Sequence, residues 1–592
     1  MTIKQQLSAQ LTEALKQLGI TDVAIQIDYP ADPTHGDYSS NIAMVLAKKL
    51  KRNPWELAKE ITSKFESNLF DVIGPAGPGF INFRLSNESL IDALKSSDTL
   101  PKLKTAFTGK KVMIEFTDPN PFKEFHIGHL YSNIVGESLA RILEANGAIV
   151  WRGDYFGDVG MHVAKSLYGL QKKFAADKQD MVGLAKLPLE KRIAYLGQAY
   201  AQGASAFEED TEAAEEIKKL NRLVYIAAQR MWEKEKGMKP QIDYRKDHAI
   251  DESLLDTVYQ LYTVGREWSL AYFELIYKRL GTTFKAYFPE SIAGERGYKL
   301  VKDHITDGVF VKSEGAIVFP GEKFDLHTRV FINSLGLPTY EAKELGLAPW
   351  KYEEFSYDLS LIVTGNEINA YFKVLVSAMK QINSELGEKT KHLGHGMVRL
   401  PEGKMSSRTG KIKTGESLLD EAKKRAGELA TEGDGDIADI VGQAAIKYAF
   451  LKQSLGKDVI FNFDESISFE GNSGPYLQYT YVRTKSVLSK SGEVSVDSFE
   501  TPEHLEVEER DLLRLFTKFS EIVEEAATRY APSTLCTYLF EVAQAFNLFY
   551  QKHQILKADG QTKAFRLTLT RTTGQVLKQG LSLLGIQAPE RM

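Results

Sequence analysis

"KKVMIEFTDPNPFKEFHIGHLYSNIVGESLARILEANG", residues 110–147, changes its pattern three times in one run. Val112, Met113, Ile114 and Phe116 make an almost unbroken apolar stretch, which reads as a strand covered on both faces. Leu130, Ile134, Leu139 and Leu143 then recur at roughly helical spacing and stop at Asn146-Gly147, a helix-ending pair. "AIVWRGDYFG" (148–157) follows as a second strand. Strand, helix and strand within about 45 residues make a βαβ unit. Its crossover is right-handed, and a ligand crevice is expected at the carboxyl end of its first strand. The stretch from Pro119 to His129 occupies that position.

His126 and His129 lie three apart there, with Gly128 between them and Lys123 just upstream. A metal site, a phosphate cradle and an ordinary strand-to-helix turn are the three readings. At a helix start, two imidazoles and several unpaired backbone N–H groups converge on one point, which suits an anion. Gly128 lets a flat base lie against the backbone, and Lys123 adds a compact positive charge. Helical zinc ligands are usually four apart with a nearby Glu, and neither holds here.

At 592 residues the chain exceeds a single core, so three to five domains are expected. Its 43% hydrophobic and 26% charged residues, with 26 Tyr and 31 Phe, are those of a folded protein. The single cysteine, Cys536, excludes a disulfide framework or a Cys-cluster zinc site and fits a reducing compartment. The first residues, "MTIKQQLSAQLTEALKQLG", lack a leader pattern, and no apolar run suffices to span a bilayer. A cytoplasmic protein without membrane contact is expected. The net charge of −5 does not announce nucleic acid, yet seven Lys/Arg (552, 557, 563, 566, 571, 578, 591) face only Asp559 and Glu590 at the end of the chain.

Residues 1–108 read as a small α+β module, with "DVAIQIDYP" and "GPGFINFRLS" as strands. About 165–280 reads as a helical insertion. Between about 282 and 375, "DGVFV", "GAIVF", "RVFIN" and "YDLSLIVTG" are expected to complete the α/β domain, and from Ser417 onward helix follows helix. A second chemical stretch, "RLPEGKMSSRTGKIKTGE" (399–416), combines Gly403, Gly410 and two serines with Lys404, Arg408, Lys411 and Lys413. Such a loop can close over a polyphosphate.

The two stretches resemble the "HIGH" and "KMSKS" signatures of class I aminoacyl-tRNA synthetases. "GDYSSNIAMVLAK", "PNPFKEFHIGHL", "GDYFGD", "GLPTYEAKE", "FEGNSGPYLQYTYVR" and the closing "AFRLTLTRTTGQVLKQGLSLLGIQAPERM" extend the likeness to the arginyl-tRNA synthetase family along the whole chain. The resemblance implies a Rossmann-like parallel-sheet catalytic domain (109–415) carrying the helical insertion. Around it stand an N-terminal tRNA-contacting α+β domain (1–108), a helical stem-contact linker (416–471) and an all-α anticodon-binding domain (472–592). It implies ATP-dependent activation of L-arginine to arginyl-adenylate, with tRNA(Arg) bound first, then transfer to the terminal ribose. ATP would come with Mg2+ as its counter-ion, no metal would be protein-bound, and the chain would be a monomer.

By the same resemblance the catalytic residues are Lys123, His126, His129 and Lys404, and ATP meets His126, Gly128, His129, Lys404, Met405, Ser406 and Ser407. Ser407 stands where the family-wide signature has a second lysine, and Lys123 is expected to supply the missing charge, with Arg408 the lesser candidate. Arginine is assigned to Asn120, Asp158, Tyr340 and Glu344, the last a glutamate where the family has aspartate. Asp118 adds a carboxylate near the substrate amine. Asp154, His162, Asn366 and Glu367 are minor candidates. Tyr476, Gln478, Tyr479 and Arg483 are the tRNA-binding candidates, because aromatic and guanidinium groups stack on or bond unpaired bases. Rival readings are a metabolic nucleotidyltransferase, an RNA-binding relative without ligase activity, and a class I enzyme for another amino acid.

Overall fold

The computed structural model describes residues 2–95, 105–246, 248–399, 414–429, 435–492 and 499–592. Its centre is a parallel five-stranded sheet in the order Thr390–His395, Leu359–Gly365, Lys111–Phe116, Ile149–Phe156, Ala286–Pro289. Lys111–Phe116 is the middle strand, and every residue in it after Lys111 is buried, as its apolar run requires. The chain winds outward to one edge and returns on the other side of that strand. The reversal point, where ligands bind in such sheets, lies between Lys111–Phe116 and Leu359–Gly365.

Helix Ile127–Ala145 follows the middle strand and packs on it more closely than a side chain would allow. A Cβ on Gly136 would stand 2.1 Å from Cγ of Phe116. The insertion is helical as expected, in Met161–Asp177, Leu189–Glu209, Thr211–Lys236 and Glu252–Leu280. Asp210 and Asp251 cap the last two with their carboxylates, and Gly237 and Gly281 end them in left-handed conformation.

Two expectations fail. Val311–Ser313, Ala316–Phe319 and Arg329–Ile332 form a separate antiparallel sheet, and of the four runs only "YDLSLIVTG", as Leu359–Gly365, joins the parallel one. The turns between them are too short for parallel crossovers. "DVAIQIDYP" is not a strand; Asp28 alone makes a bridge, to Ser39, and Pro30 has no N–H for a ladder.

The N-terminal module, with strands Tyr38–Ser40, Phe70–Ala76 and Phe80–Leu85, packs against the C-terminal helices in one shared core. Glu521 of helix Val507–Thr528 accepts from the Lys4 backbone at 2.7 Å, the Tyr29 hydroxyl at 2.5 Å and the Tyr38 hydroxyl at 3.2 Å. Asp37 is held by Arg514 and, at 3.6 Å, by Arg510. Helices Gly415–Leu429 and Gly435–Leu451 join the catalytic domain to the C-terminal bundle, fastened by Arg279 to Asp420 and Asp439 at 2.7 Å each. Among the described residues no helix is long and apolar enough to cross a membrane.

Candidate active site

The turn that leaves the middle strand is strained. Thr117 (φ 84°), Asp118 (φ 49°) and Phe122 (φ 69°) are all in the left-handed region that non-glycine residues avoid. Surrounding bonds hold them there. The Thr117 N–H donates to Ser132 Oγ at 3.0 Å and Asn133 Nδ2 to Thr117 Oγ1 at 2.9 Å, while the Phe122 N–H reaches Ser269 Oγ of the insertion at 2.9 Å. Ser132 itself donates to the Val363 carbonyl at 2.6 Å and so ties the two strands of the reversal point to helix Ile127–Ala145.

His126 is the N-cap of that helix. Its Nδ1 accepts from the His129 N–H at 3.2 Å, and His129 Nδ1 accepts from the His126 N–H at 3.3 Å. The rings stack, with centroids 3.3 Å apart and planes 26° apart. Because each Nδ1 is an acceptor, a neutral ring must carry its proton on Nε2. Both rings are neutral near pH 7. Enclosure and the Lys123 ammonium push His126 down to about 4, and burial, His126 and Lys123 hold His129 well below its ordinary value. One helix N–H expected to face an anion, that of His129, is therefore spent on the cap. In its place the site offers two Nε2–H donors on a rigid stack.

Both histidines line a cavity of about 900 Å³ at the sheet's reversal point. Thr117, Asp118, Asn120 and Gly128 line it from the first strand and turn, Tyr155 and Gly157 from the next strand, and Tyr340 and Glu344 from helix Tyr340–Glu354. Glu290, Thr364, Glu367, Phe372 and His395 complete its wall. Gly157 leaves room for Asn120 in its present rotamer, since a Cβ there would lie 2.5 Å from Asn120 Oδ1. Glu290 is paired in burial with Lys343 at 2.6 Å, and behind the floor Lys351 pairs with Glu115 at 2.5 Å. Removing one member of such a pair costs about 3–5 kcal/mol. Burial, followed by Glu115, holds Glu344 well above the usual carboxylate range; burial, Glu115 and Glu344 do the same to Asp118.

The structure gathers His126, Gly128, His129, Asn120, Tyr340 and Glu344 around this one cavity. Lys123 does not line it; its ammonium sits 4.3 Å from the Tyr200 ring centroid, near enough to act on His126 and His129. Asp158 is also absent from the wall. It is fully buried, accepting from Arg266 at 3.0 Å, Tyr262 at 3.3 Å, and the N–H and hydroxyl of Ser291 at 2.9 Å each. It holds the start of helix Glu290–Asp303, and hence Glu290, in place. Lys404, Met405, Ser406, Ser407 and Arg408 lie outside the described residues. The chain enters and leaves that segment beside the cavity: Met397 and Val398 line it, and the Gly415 N–H donates to the Phe125 carbonyl at 2.7 Å.

Of the minor candidates, Glu367 is in the wall, whereas Asn366 turns its amide to the Gly456 carbonyl at 3.0 Å. Asp154 accepts from the Tyr277 hydroxyl at 2.9 Å, and His162 bonds the Gly157 carbonyl at 2.7 Å. Glu290 and His395 were missed. Glu290 carries no local signal, because its partner lies 53 positions away. His395 does: "HLGH" (392–395) repeats the spacing of the first pair.

A second recess, of about 520 Å³, contains Tyr476, Tyr479 and Arg483. The Arg483 guanidinium is 4.8 Å from the Tyr479 centroid and 5.1 Å from that of Tyr550, and donates to Tyr479 Oη at 3.1 Å. Gln478 points the other way, fully buried, with its amide donating to the Gln587 carbonyl at 2.7 Å. Three of these four residues thus share one face and Gln478 does not reach it, because its side of helix Gly474–Ser489 packs inside the bundle. The basic end of the chain is partly neutralised. Lys552 pairs with Glu508 at 2.6 Å and Arg566 with Glu509 at 2.8 Å.

A parallel sheet with a histidine-capped helix at its reversal point and a helical C-terminal bundle is the architecture of a class I aminoacyl-tRNA synthetase. Residues 91–463 match the family model for "tRNA synthetases class I (R), catalytic domain", residues 1–85 the "Arginyl tRNA synthetase N terminal domain" and residues 477–592 the "DALR anticodon binding domain". The arginine--tRNA ligases of Parabacteroides distasonis and of a Bacteroides fragilis strain are each 30% identical, with both chains covered in full. The arginyl-tRNA synthetase of Thermus thermophilus shares the fold, with a TM-score of 0.77 at 24% identity and 100% of both chains covered. The chain belongs to the arginyl-tRNA synthetase family.

Proposed function

We propose that the chain activates L-arginine with ATP, releasing pyrophosphate, and transfers the arginyl group to the terminal ribose of tRNA(Arg). The observation that carries this reading is the make-up of one cavity: two neutral Nε2–H donors, the carboxyls of Asp118 and Glu344, and the Asn120 amide all line it. Activation needs little covalent help from protein. It needs the α-phosphate and the arginine carboxylate brought in line and the developing charge met by fixed donors. His126 and His129 donate to the α-phosphate region, and because they are neutral and locked in one tautomer they need no reorganisation to do so. Glu344 and Tyr340 receive the planar guanidinium, whose fork suits a carboxylate and a hydroxyl.

Lys404, Met405, Ser406 and Ser407 act on the β and γ phosphates, with Mg2+ as the nucleotide's counter-ion. Lys123 supplies the charge that Ser407 lacks, swinging off the Tyr200 ring. Among the described residues no group of three His, Cys, Asp or Glu could hold a metal ion. Tyr476, Tyr479 and Arg483 offer stacking surfaces to unpaired tRNA bases. The division at 108, 415 and 471 separates the N-terminal module, catalytic domain, linker and anticodon-binding bundle of a cytoplasmic monomer. ATP–pyrophosphate exchange with arginine, with and without tRNA(Arg), tests the reading. Exchange should appear with tRNA and fall sharply in Lys404→Ala and Lys123→Ala. No exchange in either condition would overturn the ligase reading, and full activity in Lys123→Ala would remove Lys123 from the machinery.

A further inference from the structure

The arginine end of the cavity carries more negative charge than its neighbours match. Glu115 comes from the middle strand, Asp118 from the strained turn after it and Glu344 from helix Tyr340–Glu354. Among the described residues one cation, Lys351, faces all three, and it bonds Glu115. Glu290 is matched by Lys343 and brings no spare positive charge. From the neighbouring strand Tyr155 lines the cavity and Asp154, on the opposite face, acts on Asp118 as a like charge; Tyr371 comes from helix Asn369–Ile382, and none is a cation.

Asp118 lines the cavity, yet among the described residues its Oδ1 is buried and without a hydrogen-bond partner. A carboxylate so placed is tolerated only if it holds a proton or meets a cation. The strained backbone, with φ of 49°, fixes the residue in the turn beside the cavity.

We propose that Asp118 and Glu344 act as one carboxyl pair that carries a proton while the cavity is empty and releases it when the cationic substrate enters, so that Asp118, expected from the sequence beside the substrate amine, is instead a specificity residue for the guanidinium. The inference rests on the reading of arginine as substrate. In the step one carboxyl O–H bond breaks, its proton passes to water or buffer, and the arginine's positive charge takes its place beside the carboxylate. No electron is transferred. Burial and the like charges of Glu115 and Glu344 hold Asp118 above the usual carboxylate range, which agrees with this. Because binding releases a proton, arginine should bind more tightly as pH rises.

Calorimetric titration of L-arginine into the full chain, in phosphate and in Tris buffer at the same pH, is the test. The binding enthalpies should differ by the ionisation heat of about one proton per arginine. Asp118→Asn should weaken arginine about tenfold, as loss of one charge-assisted contact does, and abolish most of the buffer dependence. Its loss should fall on KM more than on kcat, with the thermal midpoint unchanged or raised, whereas a structural role would lower that midpoint. Asp118→Ser should behave alike, which covers poor folding of either variant. Citrulline, neutral where arginine is charged, should bind without releasing a proton.

Equal enthalpies in both buffers, full affinity in Asp118→Asn, or proton release by citrulline would each overturn the inference. A wild-type chain that binds no arginine even with tRNA(Arg) present would instead overturn the substrate reading beneath it.

Discussion

The tetrad His-x-Gly-His occurs twice in this chain, and its two copies do opposite things. At 126–129 it starts a helix, so the rings lie on one side, stack at 3.3 Å and cap each other's backbone. At 392–395 it ends a strand, where residues three apart face opposite sides of the sheet. His392 bonds Thr364 Oγ1 at 2.7 Å and lies 4.0 Å from the Phe372 ring, while His395 packs at 4.4 Å on Tyr131 of the helix that the first tetrad opens. Four letters make a paired donor site in one context and, in the other, two separated rings of which only His395 reaches the cavity wall. The chemistry belongs to the helix start as much as to the histidines.

The largest effect should come from breaking the first copy. His126→Asn keeps an N-cap side chain but removes the Nε2–H, so pyrophosphate exchange should fall about 100- to 1000-fold with little change in thermal midpoint. An active Asn variant would reduce His126 to a cap.

Acid should separate the copies next. His392 is held down to about 4, first by burial and then by His395, against about 6.5 unfolded. A lowered histidine contributes stability that is complete above the unfolded value and lost as pH falls toward the folded one. Asp154, pushed up to about 8 by burial, works in the opposite direction, so a difference between variants is the clean measurement. Relative to wild type, His392→Phe should gain about 2 kcal/mol between pH 7 and pH 4 in urea unfolding. An unchanged difference would contradict the buried, neutral His392. The smallest effect should be on catalysis by that same variant. His392 does not line the cavity, so exchange at pH 7 should stay within about threefold of wild type.

Local patterns carried much of this fold. The strand at Lys111–Phe116, the helix after it and the insertion's capped helices all follow from apolar spacing and from Asp and Gly at the right ends. What the pattern did not hold is pairing at long range. Lys351 meets Glu115 across 236 positions and Arg266 meets Asp158 across 108, and neither partner announces the other. Asp158 was therefore read as a ligand contact when its lone pairs are already taken. The site's histidines, Asn120, Tyr340 and Glu344 were legible through resemblance. The excess charge around Asp118 became visible only once Lys351 and Lys343 could be assigned to their partners.

The joint between the two ends of the chain bears on how the protein is made. Tyr38 and Glu521, hydrogen-bonded across the shared core, are 483 positions apart. At roughly 5–20 residues per second, the ribosome delivers the second about 25–100 s after the first. For that interval the N-terminal module emerges with its docking face bare, including Tyr38 and the apolar side chains that later share a core with Leu512 and Leu513 of helix Val507–Thr528. The segment synthesised first is thus among the last to be finished, and chaperone demand during translation should concentrate on its exposed face.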